Sequence, residues 1–139
     1  ASLRVGWGYG SKKIVEALYK IKPPFNVNKI AQLCAIESLK DQSFIKKSVK
    51  HNLDWAKKIQ KTLNLYNIKT NDIGPNFFLL DFKNCKLSAN FVEKKLEASG
   101  IILREMNSYG IKNCLRLTIG NNHENKLLLD KLKNIFKNV

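Results

Sequence analysis

The three arginines are the residues of this chain best suited to chemistry. Arg4, Arg104 and Arg116 are the only arginines among 25 lysines and arginines, and each interrupts an apolar, strand-like segment. A guanidinium is planar and permanently charged, and it can bind a phosphate or carboxylate through two parallel hydrogen bonds, which an ammonium cannot do. We therefore interpret all three as anion ligands. The alternative, in which each stem packs on a sheet and each charge pairs with a nearby carboxylate, remains open from these residues alone.

Two of these arginines fall at matching positions of a predicted β-hairpin. The apolar runs 101–106 and 114–119 flank a stretch rich in turn formers that contains Gly110. Folding the chain about Gly110 places Arg104 opposite Arg116, and like charges across a strand pair are destabilising unless an anion lies between them. Alternation along the second run turns Arg116 away from the core face, toward a surface or cleft. A register shift of one residue would undo the pairing.

The bulk composition describes one domain with a strongly basic balance. The chain has 139 residues and a formal net charge of +14, which makes nucleic acid or an acidic membrane surface a legitimate partner. The lysines, however, are spread along the whole chain and accompanied by 16 asparagines, a composition that indicates codon bias. Aromatic residues are also not interleaved with the basic ones, as they are in surfaces that stack single-stranded nucleic acid. A basic nucleic-acid-binding α/β module is therefore the weaker alternative.

Other features of the composition bear on the cellular setting. No apolar run approaches the roughly 18 to 20 residues of a membrane span, and we expect neither a membrane partner nor a signal peptide. The cysteines, Cys34, Cys85 and Cys114, are odd in number and lack the spacing of metal ligands. We expect reduced thiols that fill the core, no metal site and a cytoplasmic protein.

The hydrophobic pattern divides the chain into a largely helical first half and a mixed second half. In the first half the predicted elements are a strand at 3–9, a helix at 12–22 and a long helical stretch from Asn26 or Asn28 to about 65, with an interruption near Asp41. In the second half they are strands at 68–71 and 76–82, a helix at 88–99, the arginine hairpin and a last helix at 127–136. A capping box of Asn121 and Glu124 precedes this last helix. The glycines of the first strand share one face, which predicts a close neighbour there. The order indicates an α/β fold with a small α+β layer, in which helices pack a three- to four-stranded, largely antiparallel sheet.

The long helical stretch carries an apolar stripe, with lysines on its other faces. The stripe residues recur at three- and four-residue steps and are Ile45, Val49, Leu53, Ala56, Ile59 and Leu63. This period predicts an amphipathic helix, and we interpret its lysines as a solvated face. The two histidines, His51 and His123, have no partners at ligand spacing, so we interpret both as structural or exposed.

Several segments together resemble the carboxy-terminal part of the histidinol-phosphate aminotransferases, pyridoxal-phosphate enzymes of fold type I, class II. In chain order they are L-R-V-G at 3–6, P-P-F-N-V-N at 23–28, N-F at 76–77, G-I-I-L-R at 100–104 and N-C-L-R-L-T-I-G at 113–120. The resemblance covers essentially the whole chain. The pattern L-R-x-G is shared by many aminotransferases of this fold type, whereas the last two segments are much more specific.

The resemblance implies an enzyme of histidine biosynthesis that uses pyridoxal 5'-phosphate to transfer an amino group between histidinol phosphate and 2-oxoglutarate or glutamate. Arg4 would then bind the phosphate of the cofactor. Arg104 and Arg116 would bind the phosphate of histidinol phosphate, or the carboxylate of glutamate in the other half-reaction. Another aminotransferase, or a decarboxylase of the same fold, is the alternative.

The resemblance also implies a division into domains. Residues 1–25 would be the tail of the large cofactor-binding domain, and residues 26–139 would be the small carboxy-terminal domain. A strand and a long helix left over from the large domain would precede the small domain's sheet. The family resemblance further implies a homodimer.

One departure from the family pattern concerns the lysine that forms the Schiff base with the cofactor. In the family this lysine lies a few residues before L-R-x-G, and here the sequence begins at Ala1. Lys12 and Lys13 come too late in the sequence and open a predicted helix. We therefore expect a fragment without its catalytic lysine, whose open apolar surface associates with itself or with the missing amino-terminal large domain.

The 139-residue chain by itself is expected to be catalytically silent, because without a covalent lysine the cofactor is not held as an electron sink. Mixing the chain with pyridoxal phosphate and histidinol phosphate, and following amino transfer, tests this expectation. A stable, specific covalent adduct accompanied by turnover would contradict it.

Overall fold

The fold is taken from a computed structural model that describes residues 2–137. Ala1 and residues 138–139, at the outer ends of the two predicted domain ranges, lie outside the described residues. By its contacts the chain divides into two compact units, one ending at Lys46 and the other beginning at Lys47.

In residues 2–137 the α-helices, numbered in chain order, are α1 (Lys12–Ile21), α2 (Lys29–Lys40), α3 (Gln42–Asn64), α4 (Ala89–Glu97) and α5 (Asn122–Phe136). The strands are β1 (Lys69–Thr70), β2 (Phe77–Asp81), β3 (Arg104–Glu105) and β4 (Cys114–Thr118). A single 3-10 turn spans Asn107–Tyr109. None of the helices in this part of the chain has both the length and the apolar character to cross a membrane.

The strand predicted at 3–9 is wrong, because this segment has only turn and irregular backbone. A strand requires a hydrogen-bonded neighbour, and the sheet in the described residues does not include this segment. A Cβ added at Gly6 or Gly8 would find no atom within 4 Å, so the described residues do not supply the close neighbour that the glycines predict. Trp7 and Tyr9 are 83% and 98% exposed.

The first unit contains helices whose ends follow the sequence signals. Pro23 comes soon after α1, whose C-cap Lys22 has extended backbone. Asn28, one of the two predicted caps, accepts a hydrogen bond from the backbone of Ala31 at 2.8 Å. Asp41 separates α2 from α3 and caps α3, since its Oδ1 accepts from the backbone N–H of Phe44 at 3.0 Å. The predicted interruption is thus confirmed.

Burial corrects the predicted core in two places. In the first unit Ala31 is buried, whereas Cys34 on the same helix is exposed, so the prediction that all three cysteines fill the core is wrong for Cys34. Of the predicted stripe on α3, the carboxy-terminal members Ala56, Ile59 and Leu63 are buried, whereas the earlier members are at least 37% exposed. The difference arises because the hydrophobic cluster formed with the sheet, α4 and α5 includes Ala56, Ile59 and Leu63 but does not reach the earlier turns of α3.

The second unit is a four-stranded antiparallel sheet with the order β1-β2-β4-β3. Its core face includes the buried pairs Phe78 with Leu117 and Leu80 with Leu115. They join the buried residues of α3, α4 and α5 in one hydrophobic cluster. The predicted fold class and the predicted sheet are confirmed.

The hairpin has the predicted register, with Arg104 directly opposite Arg116. Its connection includes the 3-10 turn, which ends at Gly110 with φ of +75°. A left-handed backbone of this kind carries no steric penalty for glycine. The last helix, α5, begins at Asn122, earlier than predicted, behind the predicted capping box of Asn121 and Glu124.

Replacing Asn121 by alanine is expected to destabilise the chain by about 1 kcal/mol, the usual cost of losing an N-cap. Its Oδ1 accepts hydrogen bonds from the backbone N–H groups of His123 and Glu124, at 2.9 and 3.0 Å. Urea unfolding of N121A beside N134A measures the effect, because Asn134 is exposed within the same helix. Equal unfolding midpoints for the two variants would contradict this role for the cap.

Candidate anion-binding site

A cavity with a volume of about 540 Å³ lies beside the arginine hairpin in the second unit. One wall is the segment that leads into β3, and the other is the end of β4 with the first turns of α5. The lining residues are Gly100, Ile101, Ile102, Leu103, Arg104, Arg116, Leu117, Thr118, Gly120, Glu124, Asn125, Leu127 and Leu128. The cavity is therefore apolar over much of its wall and carries two guanidiniums.

Arg104 and Arg116 line this cavity from opposed positions on neighbouring strands. Arg104 is exposed, and its Nη1 donates to the hydroxyl of Tyr109 at 3.3 Å. Neither arginine forms an ion pair with a carboxylate of residues 2–137, where the ion pairs all involve lysines. The alternative interpretation, in which each arginine is neutralised by a local carboxylate, is thus wrong for this pair.

Arg116 is the more enclosed of the two. Its guanidinium lies 5.8 Å from the ring centroid of Phe77, a cation–π distance. Its Nε is buried and has no hydrogen-bond partner among the described residues. An unmet donor on a buried, charged group is costly, and an anion in the cavity is a partner of the right chemistry.

The carboxylates of this region lie mostly on the other side of the strand. Glu105 follows Arg104 and, by strand alternation, lines a smaller cavity of about 160 Å³ together with Glu93 and Cys114. Its Oε1 accepts from the backbone N–H of Asn107. The hairpin therefore separates charge, with guanidiniums in the larger cavity and carboxylates in the smaller one.

The environment of the smaller cavity shifts two titratable groups. Burial, followed by the negative charges of Glu105 and Glu97, raises the pKa of Glu93. Burial, followed by the charge of Asp81, raises the pKa of the Cys114 thiol. A thiol with a raised pKa is protonated at neutral pH and a poor nucleophile, so Cys114 has the structural role that the sequence predicts.

The larger cavity contains one carboxylate, that of Glu124, which belongs to the cap of α5. Its Oε2 accepts from the backbone N–H of Asn121 at 2.8 Å, and this bond completes the predicted capping box. Engagement in the cap keeps this carboxylate beyond ion-pair distance of both guanidiniums.

The segment 120–122, which joins β4 to α5 and includes the first residue of that helix, is held by side chains that sequence reasoning did not assign to the site. The Nε2 of His51 lies 2.9 Å from the carbonyl oxygen of Gly120, so His51 has a structural role, as predicted. Trp55 Nε1 donates to Oδ1 of Asn122 at 2.7 Å. Asn125 forms two further hydrogen bonds with Gly120. Only the short spacing of Gly120 and Asn125 beside the capping box could have signalled this arrangement.

Arg4, the third predicted anion ligand, lies in the first unit. It is exposed and has a left-handed backbone with φ of +58°. The carbonyl of the preceding residue, Leu3, accepts from Nδ2 of Asn28 at 3.5 Å. The nearby Lys12 pairs with Glu16 at 3.9 Å and is solvated, which agrees with its exclusion as a catalytic lysine.

Comparison with known proteins identifies the family of this chain. The family model for aminotransferase class I and II matches residues 1–132. The chain belongs to the class I and II aminotransferases. A histidinol-phosphate aminotransferase from Pelagibacter ubique is 53% identical over 137 residues, covering 98% of this chain and 38% of that protein. The resemblance inferred from the sequence motifs is confirmed.

Solved structures of this family share the fold. The histidinol-phosphate aminotransferase of Clostridium acetobutylicum matches with a TM-score of 0.74 and 25% identity, over 92% of this chain and 39% of that one. The enzyme of the same name from Sinorhizobium meliloti, solved with pyridoxal-5'-phosphate, matches with a TM-score of 0.72 and 21% identity, over 91% and 34%. The chain thus spans less than two-fifths of the length of these proteins.

The raised pKa of Glu93 has a consequence for stability. A carboxyl group whose pKa is higher in the folded state holds its proton more tightly there, so stability falls as the pH rises through and above the ordinary value of 4.5. At neutral pH the ionised side chain carries the full penalty, whereas at pH 3 both states are protonated and the penalty vanishes.

Replacing Glu93 by glutamine is therefore expected to stabilise the chain at pH 7, by at most about 0.5 kcal/mol because the group is partly solvated. The gain should disappear at pH 3. Urea unfolding of wild type and E93Q at both pH values measures the difference. A variant that is less stable than wild type at pH 7 but equal to it at pH 3 would contradict the direction of the shift.

Proposed function

We propose that the full-length protein, meaning this chain together with the further length that its relatives have, is a pyridoxal-phosphate-dependent aminotransferase. It transfers an amino group between histidinol phosphate and 2-oxoglutarate. The observation that carries the proposal is the opposed pair Arg104 and Arg116, which lines a cavity with no carboxylate in ion-pair contact. Residues 26–139 form its small domain, and residues 1–25 are the tail of the large domain.

The charge of the two guanidiniums supports a phosphorylated substrate. A phosphate monoester approaches two negative charges at neutral pH, which complements two opposed cations that have no carboxylate of their own. The same pair can hold a carboxylate, which suits the acidic side chain of glutamate in the second half-reaction. The residues before β3 give the cavity a partly apolar wall, and electrostatic attraction is stronger beside apolar groups than in bulk water.

Binding at this site also orients the substrate. Two planar forks that bind one phosphate restrict its rotation as well as its position, so the amine at the other end of the substrate is presented in a narrow range of directions. Orientation of a reacting group is worth several orders of magnitude in rate when the geometry is favourable. We assign Arg104 and Arg116 this binding and orienting role.

Arg4 is the residue of this chain proposed to hold the cofactor phosphate. Its exposed guanidinium has the donor set that a phosphate requires. Pyridoxal phosphate, when bound, supplies the electron sink on which amino transfer depends. Arg4 contributes binding of the phosphate, and no proton transfer is assigned to it.

The proposal includes a cytoplasmic homodimer. Exposed apolar side chains are concentrated in the first unit, where they include Ile14, Leu18, Ile30, Leu33 and Phe44, each at least 52% exposed. Apolar surface of this extent is typical of a contact face. We propose that the large domain and the second subunit cover it.

Replacing Arg116 by lysine in the full-length protein is expected to weaken the binding of histidinol phosphate by about 1 to 3 kcal/mol, the range for a hydrogen bond to a charged group. Lysine keeps the charge but cannot form two parallel hydrogen bonds. Calorimetric titration gives the dissociation constant. K86R serves as a matched control, because Lys86 is exposed and lines neither cavity. Unchanged affinity in R116K would count against the proposed site.

The substrate itself is tested by steady-state kinetics of the full-length protein. We expect amino transfer from histidinol phosphate to 2-oxoglutarate with a kcat/KM at least about a hundredfold above that for phenylalanine, since an uncharged ring leaves both guanidiniums without a partner. A protein that ignores histidinol phosphate but accepts phenylalanine would be a sister aminotransferase. Release of carbon dioxide from a phosphorylated amino acid would instead identify a decarboxylase.

A further inference from the structure

Asn125 is the one polar side chain in the buried class among residues 2–137, with 1% of its surface exposed. It lies in the first turns of α5 and lines the larger cavity. Burying an amide is unfavourable unless all of its hydrogen-bonding groups find partners. The partners of Asn125 therefore indicate what the residue does.

Both polar atoms of the Asn125 side chain bond to the same residue. Its Nδ2 donates to the carbonyl oxygen of Gly120 at 2.7 Å, and its Oδ1 accepts from the Gly120 N–H at 2.9 Å. The two bonds close a ring like that between paired peptide groups. The Gly120 carbonyl also lies 2.9 Å from Nε2 of His51 on α3. The backbone immediately after β4 is therefore held from both the start of α5 and α3.

This ring joins the two parts of one wall of the arginine cavity, the end of β4 and the first turns of α5. Gly120 follows Arg116 by four residues, and the helix that Asn125 ties to it supplies the wall opposite β3. The junction is also tight, because a Cβ at Gly120 would lie 2.9 Å from Cβ of Glu124 and 2.4 Å from its Oε2. A displacement at Gly120 would move the first turn of α5 relative to both guanidiniums.

We propose that Asn125 is a positioning residue for the arginine cavity, which sets the affinity of the cavity for anions by fixing Gly120 and the first turn of α5. The inference rests on the proposed function, since it requires that Arg104 and Arg116 bind an anion. Asn125 itself need not touch the anion, and its effect passes through the segment 120–122.

The chemistry of the ring explains why asparagine is required. An amide offers one donor and one acceptor at the spacing of a peptide group, as Gly120 needs. A carboxylate of the same shape keeps the acceptor but turns a second oxygen toward the Gly120 carbonyl, and the two acceptors repel. Burial of the side chain and the facing carbonyl disfavour the ionised form, so the pKa of this carboxyl is expected to be raised above that of an ordinary aspartate. When protonated, the carboxyl regains a donor and can close the ring again. In N125D the ring with Gly120 can therefore form at low pH and is disrupted at high pH.

Sulfate binding to the full-length protein, saturated with pyridoxal phosphate, tests the inference. Sulfate keeps two negative charges from pH 5 to pH 8, as both arginines keep their charge. The titratable groups that face the junction are His51 from α3 and Glu124 from α5, and wild type measured at both pH values corrects for them. N134D is the control, because it adds the same charge at an exposed position of the same helix.

At pH 8 we expect N125D to bind sulfate about tenfold more weakly than wild type, the equivalent of one lost hydrogen bond. At pH 5 the ratio should return toward one, whereas N134D should stay within about twofold of wild type throughout. A purely structural role would lower the unfolding temperature of N125D without this pH-dependent recovery of affinity. Because Asn125 lines the cavity, repulsion of sulfate by the new carboxylate alone would instead leave the uncharged variant G120A at wild-type affinity. N125D that folds like wild type and matches its sulfate affinity at both pH values would overturn the proposal.

Two further variants keep the outcomes distinct. G120A adds no charge and displaces the same junction by steric contact with Glu124. It should show the same tenfold loss whether or not N125D folds at pH 8, and unchanged affinity would overturn the proposal. Weaker sulfate binding by the variant R116K reports on the anion site alone. If R116K loses sulfate affinity and N125D does not, the proposed role of Asn125 is wrong and the proposed anion site is supported. No sulfate binding by wild type would overturn both.

Discussion

The candidate anion site of the second unit depends on two like charges held opposite each other on neighbouring strands. Arg104 and Arg116 are cross-strand partners, an arrangement that costs roughly several tenths of a kcal/mol unless an anion lies between the two charges. The hairpin maintains it because its turn ends in a left-handed glycine, Gly110, and because β4 lies between two partners and cannot shift register without exposing its buried leucines. The fixed register of β4 therefore both stabilises the sheet and keeps the two guanidiniums opposed, where an anion can bind between them.

Strand alternation determines where the compensating carboxylates lie. Glu105 is the nearest acidic residue to Arg104 in sequence, and the two side chains line different cavities. Another carboxylate, that of Glu124, accepts a hydrogen bond from the backbone N–H of Asn121 at the start of α5. The guanidiniums consequently keep their charge available to a ligand, whereas the opposite side concentrates negative charge and raises the pKa of Glu93.

The parts of the fold that the sequence predicted are those governed by local chemistry. The register of the hairpin followed from turn formers and alternation. The predicted caps at Asn28 and Asn121 and the predicted interruption near Asp41 depend on side-chain bonds to backbone groups two or three residues away. The strand predicted at 3–9 failed because alternation reports a pattern of faces but not the presence of a hydrogen-bonded neighbour. The helix with the apolar stripe was predicted correctly, but periodicity does not say which element covers each part of the stripe, and its earlier members are exposed.

The site was predicted only as far as its charged residues. Arginines in apolar strands stand out against a lysine-rich background, so the anion ligands could be named without coordinates. The hydrogen bonds that position these arginines could not be predicted from the sequence. His51 and Trp55 reach partners almost 70 residues away along the chain, and contacts of that separation leave no local signal. Asn125 lies five residues from Gly120, yet its burial depends on the packing of α5 as a whole.

The central claim is that the two guanidiniums bind one anion jointly. Anomalous diffraction from crystals of the full-length protein grown with selenate tests it most directly, because the selenium position locates the anion without ambiguity. We expect one selenate in the cavity, with oxygens at about 2.7 to 2.9 Å from nitrogens of both Arg104 and Arg116, the range for charged hydrogen bonds. Guanidiniums that diverge, or that each pair with a carboxylate while the cavity holds no selenate, would contradict the account.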